Sequence, residues 1–237
     1  TVAGALIGFA FKSIPHKFND VIMGFAAGIM LAAAIVGLIL PAMDYSGDKV
    51  FIVVAGIIAG AIFLNYIDRF VPHLHSIAGL DKEKHITNTG EINKVFLFVI
   101  AIAIHNFPEG IAAGVSFGTG NIADALTVAM GIALQNIPEG MIIIAPMLLS
   151  GVRKSKTFLI ALATGLVEVV GTFFGYFAVS VATFILPFAL AFAGGTMLYI
   201  ISDEMIPETH SHGFERSATY ALLTGFSVML MLDHYIS

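Results

Sequence analysis

Cysteine is absent from the chain. That excludes disulfides and thiolate metal sites, and it removes any sequence sign of redox compartment. Charge is scarce: 11% of residues are Asp, Glu, Lys or Arg, against about 25% in soluble domains. No basic run offers a surface for nucleic acid, so no nucleic-acid partner is expected. No Gly-x-x-x-x-Gly-Lys-Ser/Thr loop occurs, which argues against ATP drive within this polypeptide. No His-Glu-x-x-His pair occurs either, which weakens the case for an intramembrane zinc-dependent hydrolase. No signal peptide is recognisable. The chain opens at Thr1 already inside an apolar run.

What is there is apolar. Hydrophobic residues make up 58% of the chain and the mean hydropathy is +0.94. This composition predicts an all-α, polytopic membrane protein embedded in a lipid bilayer. Eight apolar segments can be marked: 1–11, 21–43, 50–67, 95–117, 122–150, 158–181, 184–206 and 218–236. A spanning helix needs about 20 residues, so the first is expected to be a truncated helix. The sixth and seventh are divided near Thr183, because Pro187 and a combined length of about two spans require a break. One transmembrane domain, 1–237, is expected, with a polar, His-containing loop at 68–93 between the third and fourth helices.

Lys and Arg set the orientation. All but Lys49 fall in alternate connections: Lys12 and Lys17, then Arg69, Lys82, Lys84 and Lys94, then Arg153, Lys154 and Lys156, then Arg216. That side is assigned to the cytoplasm, which places both termini outside. One missed or extra helix would scramble the alternation.

The residues with most to say are His105-Asn106-Phe107-Pro108-Glu109-Gly110. They return as Gln135-Asn136-Ile137-Pro138-Glu139-Gly140. Between Lys94 and Arg153 there is no Lys or Arg to pair with either glutamate. A carboxylate at mid-bilayer costs roughly 2.5–3.5 kcal/mol on insertion scales, and a bound cation is the simplest offset. A weaker repeat relates Phe25–Leu31 to Phe192–Leu198. On the predicted topology both repeats lie on antiparallel helices, the pattern of an inverted-repeat transporter with its site near the midplane.

Depth supports one site. At 1.5 Å per residue, His105 and Gln135 each lie roughly 16 Å from the nearest loop, Glu168 roughly 18 Å and Met30 roughly 15 Å. Four helices thus bring polar or soft side chains to one level. His105 and Glu109 are i, i+4 neighbours on one helix face, and Gln135 and Glu139 repeat the arrangement. Pro108 and Pro138 free the carbonyls of Ile104 and Leu134, and Gly110 and Gly140 permit close helix approach. An imidazole with carboxylates and amide oxygens suits zinc, iron or manganese; a calcium or magnesium cage would not use His105. Three glutamates suffice to bridge two ions. The bland alternative is a pair of kinks with hydrogen-bonded polar residues. A proton relay through the same carboxylates is the stronger rival, and it is compatible with metal passage. Met30, taken alone, reads more readily as core than as ligand.

At these residues the chain resembles the ZIP (Zrt/Irt-like) family of divalent metal transporters, in its prokaryotic branch. His105–Gly110 match the family's fourth-helix motif in full. The fifth-helix motif commonly begins with His, and here begins with Gln135; Glu168 matches a sixth-helix glutamate. The resemblance implies eight helices in a 3+2+3 inverted arrangement and a binuclear site. The first ion would use Met30, His105, Glu109, Gln135 and Glu139. The second would use Asn106, Glu109, Asn136, Glu139 and Glu168. It also implies transport of zinc, with iron, cadmium or manganese as substitutes, toward the cytoplasm across a prokaryotic inner membrane. Homodimers are common in the family.

Several residues carry secondary expectations. Asp44 and Asp233 are candidates for a metal-attracting entrance, or else ordinary interfacial carboxylates. Asp203, Glu204, Glu208, His210 and His212 are candidates for an exit path, with loop solvation as the alternative. His73 and His75 could bind metal loosely in the cytoplasmic loop.

Overall fold

The structure, a computed structural model, describes residues 1–10, 15–70 and 88–236. Among them are eight helices and no strand. They are α1 Val2–Gly8, α2 His16–Ser46, α3 Val50–Phe70 and α4 Asn88–Gly118. They continue with α5 Ile122–Leu149, α6 Lys154–Val181, α7 Leu186–Thr209 and α8 Glu215–Ile236. Among the described residues, five of these helices contain a stretch long and apolar enough to cross a membrane: α2, α3, α5, α6 and α7. The expected break at Thr183 is present: a short 3-10 turn, Thr183–Ile185, separates α6 from α7, and Pro187 lies in the first turn of α7.

The apolar residues face both inward and outward, as a bilayer permits and water does not. Phe173, Phe174 and Phe177 on α6 and Val54, Ile58 and Ile62 on α3 are all exposed. The interior mixes small residues such as Ala26, Ala27, Ala33 and Ala112 with larger ones such as Ile29, Met30, Leu38 and Met197. Between apolar helices in lipid, association rests on close packing, so small residues at the seams are what hold the bundle.

Those seams fall into four pairs. α2 packs along α8, α3 along α7, α4 along α6 and α1 along α5. Glycines line each one. Gly24 and Gly28 meet the backbone at Ala218 and Leu222; Gly56 and Gly60 meet Phe188 and Phe192; Gly110 and Gly114 meet Glu168 and Thr172; Gly4 meets Ile137. In the first three, contacts advance in the same sense on both helices, so the partners run parallel. Even helices thus pair with even ones and odd with odd, as strict up-and-down alternation demands.

A Cβ at Gly28 would overlap the carbonyl of Leu222, and backbone cannot move aside as a side chain can. Gly28→Val is therefore expected to cost on the order of 3 kcal/mol and to lower the unfolding temperature in detergent. A wild-type melting curve for this variant would mean that α2 and α8 are not held so close.

The motif prolines leave their helices unbroken. The structure places the irregularity elsewhere. α4 and α5 run on through Pro108, Pro138 and Pro146. The helical register slips instead in α2, over Ala33–Ile39, and in α7, over Ile201–Met205, both wound as π-helix. Each slip ends two residues before a proline, Pro41 or Pro207. Proline has no N–H to donate to the preceding turn, and a widened turn accommodates the loss. The repeat seen in Phe25–Leu31 and Phe192–Leu198 thus extends through a π stretch and a proline in both helices.

Candidate metal centre

α4 presents His105, Asn106 and Glu109; α5 presents Gln135, Asn136 and Glu139; α6 presents Glu168. The motif glycines bring these helices together. A Cβ at Gly110 would strike the carbonyl of Glu168 on α6, and one at Gly140 would strike that of Thr1 beside α1. Glycine at these two positions draws α6 against α4 and α1 against α5, which sets the depth of Glu168 against the two motifs.

Polar side chains here hold each other. The Gln135 amide donates to Glu109 Oε1 at 2.6 Å. The Asn136 amide donates to Glu168 Oε2 at 2.9 Å. The Asn106 amide donates to the Thr164 carbonyl at 2.9 Å and approaches Thr1 Oγ1 at 3.3 Å. The Thr1 hydroxyl in turn donates to Asn136 Oδ1 at 3.1 Å. His105 Nε2 lies 2.8 Å from Glu204 Oε1 on α7. Glu139 lies beside Glu109 and within Coulombic reach of His105 and Glu168.

Burial is nearly complete: Asn106, Glu109 and Gln135 are 0% exposed and Asn136 is 3%. Yet four acceptor oxygens have no hydrogen-bond partner among the described residues: Asn106 Oδ1, Glu109 Oε2, Gln135 Oε1 and Glu139 Oε2. They come from both copies of the motif. An unpaired buried acceptor costs about 1–3 kcal/mol, and more when charged. A concentration of orphaned acceptors, two of them on neighbouring carboxyl groups, is what a cation would satisfy.

The ligand positions are not closed around a single point. Among the described residues, no three His, Asp or Glu side chains already stand where one ion would be held. Gln135, Asn136 and His105 occupy one oxygen each of Glu109, Glu168 and Glu204 instead. Those hydrogen bonds would have to open for an ion to enter. Met30 is fully buried in the main apolar core, which Phe107 and Leu134 flank from the two motif helices.

A cavity of about 50 Å³ adjoins the cluster, lined by His105, Glu139, Met23, Glu204 and Glu208 among others. It is polar enough and large enough for water or an ion. Glu204 and Glu208, candidates for an exit path in the sequence, stand on the wall of the same space as His105 and Glu139. The direct His105–Glu204 contact was not anticipated. Its sequence signal was the one used for the motifs: an acid between apolar Ile201 and Met205 with no basic neighbour.

The other candidates scatter. Asp203 and His210 are exposed; His210 Nδ1 donates to the Ile206 carbonyl at 2.8 Å. His212 pairs with Asp20, a residue the sequence did not single out. Asp44 is exposed near the end of α2 and Asp233 half-buried near the end of α8. Because α2 and α8 run parallel, both lie at the same end of the bundle. His73 and His75, with most of the 68–93 loop, lie outside the described residues.

An all-helical bundle, among the described residues, that sets carboxyl and amide groups with unpartnered oxygens between apolar helices defines a polytopic membrane protein with a polar centre. A family model described as ZIP Zinc transporter matches residues 71–233. The chain is 40% identical over 241 residues to Zinc transporter GufA of Myxococcus xanthus, covering 98% of this chain and 93% of that protein. It is 36% identical to Zinc transporter ZIPB of Bordetella bronchiseptica, covering 98% of this chain and 76% of that protein. It is 34% identical to Zinc transporter ZupT of Chlorobaculum parvum, covering 97% and 90%. The chain belongs to the ZIP zinc transporter family. It is by family a transporter and not an enzyme, and the hydrolase alternative is not favoured.

Proposed function

We propose that this protein carries divalent transition-metal ions, zinc foremost, across the membrane through a two-ion site between α2, α4, α5 and α6. Iron, cadmium and manganese fit the same mixed nitrogen and oxygen donors. Met30, His105, Glu109, Gln135 and Glu139 take one ion; Asn106, Glu109, Asn136, Glu139 and Glu168 take the other. Glu109 and Glu139 bridge, because two adjacent divalent ions need shared anions to limit their repulsion. The observation that carries this reading is the set of four orphaned buried acceptors drawn from both motif copies.

The membrane arrangement in this reading is eight spans in a 3+2+3 inverted repeat, with the central pair α4 and α5. It is supported by the seams: exchanging α1, α2, α3 with α6, α7, α8 and α4 with α5 turns the α2–α8 seam into α7–α3 and the α4–α6 seam into α5–α1. The matched π stretches of α2 and α7 obey the same exchange. Transport runs toward the cytoplasm across the inner membrane of a prokaryote, with both termini outside and Arg153, Lys154 and Lys156 inside. Lipid surrounds the bundle, and a homodimer is its proposed assembly.

Flux of zinc into proteoliposomes, with iron, cadmium and manganese as competitors, tests the function. Absence of zinc flux in correctly inserted protein would end this reading. The orientation has its own test, helped by a background without cysteine. In intact cells Ser155→Cys should resist an impermeant thiol reagent and become labelled on permeabilisation. Labelling from outside would reverse the topology.

A further inference from the structure

We propose that Asp20, His212 and His16 form a separate divalent-metal site at the end of the bundle remote from Asp44 and Asp233. Asp20 is 0% exposed. Its Oδ1 lies 3.0 Å from His212 Nδ1, and its Oδ2 is buried without a partner among the described residues. His16 is i, i+4 to Asp20 and therefore shares its helix face. The His16 ring stacks on that of His212, with centroids 4.5 Å apart. One carboxylate and two imidazoles are a zinc donor set, with a water completing four-coordination.

An ion pair alone accounts for this group poorly. It leaves Asp20 Oδ2 unsatisfied, at the cost of an orphaned acceptor, and it gives the stacked His16 ring no polar role. A metal bound to both histidines and the carboxylate uses every one of these groups. Two donors are already in place. His16 must turn out of its stack to become the third, which agrees with no three-ligand group being preset among the described residues.

The site adjoins the route from the centre. Asp20 is about one helical turn from Met23, and His212 lies three residues past the end of α7, whose last turn carries Glu208; Met23 and Glu208 both line the cavity of His105 and Glu139. An ion passing that cavity meets this triad next. Only this place on the route rests on the transport reading; the site does not.

Purified protein, loaded with zinc and freed of excess by gel filtration, tests the site by metal count. In a Glu109→Ala/Glu139→Ala background one equivalent of zinc should remain. Adding Asp20→Asn or His212→Ala should remove it, with at least a tenfold weaker Kd by titration. Asn at position 20 still accepts from His212, so a merely structural pair would survive that change with zinc retained. Zinc lost already in the background, or kept after Asp20→Asn and His212→Ala, overturns the proposal. Should the background fail to fold, the same two substitutions in the wild-type protein must lower the count by one; an unchanged count is equally fatal. Failure of the central two-ion reading shows separately, as normal zinc flux in Glu109→Ala.

Discussion

Glu109→Ala and Glu139→Ala are each expected to abolish zinc transport, and Glu109→Gln to do so in a protein that remains folded. Glu109 is fully enclosed, with one oxygen held by Gln135 and the other unpaired. Gln at position 109 keeps an acceptor for the Gln135 amide and removes the charge. The charge is needed only when a cation is present, so the two effects separate. Without metal the Gln variant should melt at or above the wild-type temperature, because burying a carboxylate without a positive partner is costly. With zinc at about a hundred times its Kd the wild type should gain about 2.7 kcal/mol, and the variant should gain much less. Anomalous scattering from zinc-soaked crystals should find neither midplane ion in Glu109→Ala. Two ions and normal flux there would remove the basis of the reading.

Flanking ligands should behave differently from bridges. His105→Ala deletes the nitrogen donor of one ion, and transport should fall nearly to background. Glu168→Ala should strip mainly the other ion and leave partial transport. Each should weaken its own ion by tenfold or more, which corresponds to about 1.4 kcal/mol. In wild-type protein without metal, His105 is engaged with Glu204 and Glu168 with Asn136. An entering ion competes with those hydrogen bonds. Glu204→Gln, which weakens the hold on His105, is therefore expected to raise zinc affinity while slowing flux. Equal loss of both ions in Glu168→Ala, measured by the same scattering, would contradict a flanking role.

The helical bundle was legible because its cause is local. Apolar runs of spanning length, a scarcity of charge within them and Lys/Arg kept, but for Lys49, to alternate connections are properties of the chain read in order. So were the two motifs, since an acid in an apolar run with no base in reach stands out in any order of reading. Gly110 and Gly140 were legible as points of close approach because their spacing fixes them on the motif helices.

Partnership was not legible. Nothing local says that α2 seats on α8, that Glu204 reaches His105 across about a hundred residues, or that Asp20 is sealed against His212. Such contacts depend on which seams close, and closure is decided by the fit of small residues on two distant helices at once. The π stretches of α2 and α7 belong here too. A proline predicts lost hydrogen bonding in the turn before it, but Pro108 and Pro138 sit in unbroken helix while Pro41 and Pro207 follow widened turns. The same residue met different neighbours. The sequence by itself determined which polar side chains stand midway along apolar helices, because that position follows from counting along a helix. Only the tertiary structure decided which of them face one another, because that depends on how whole helices pack.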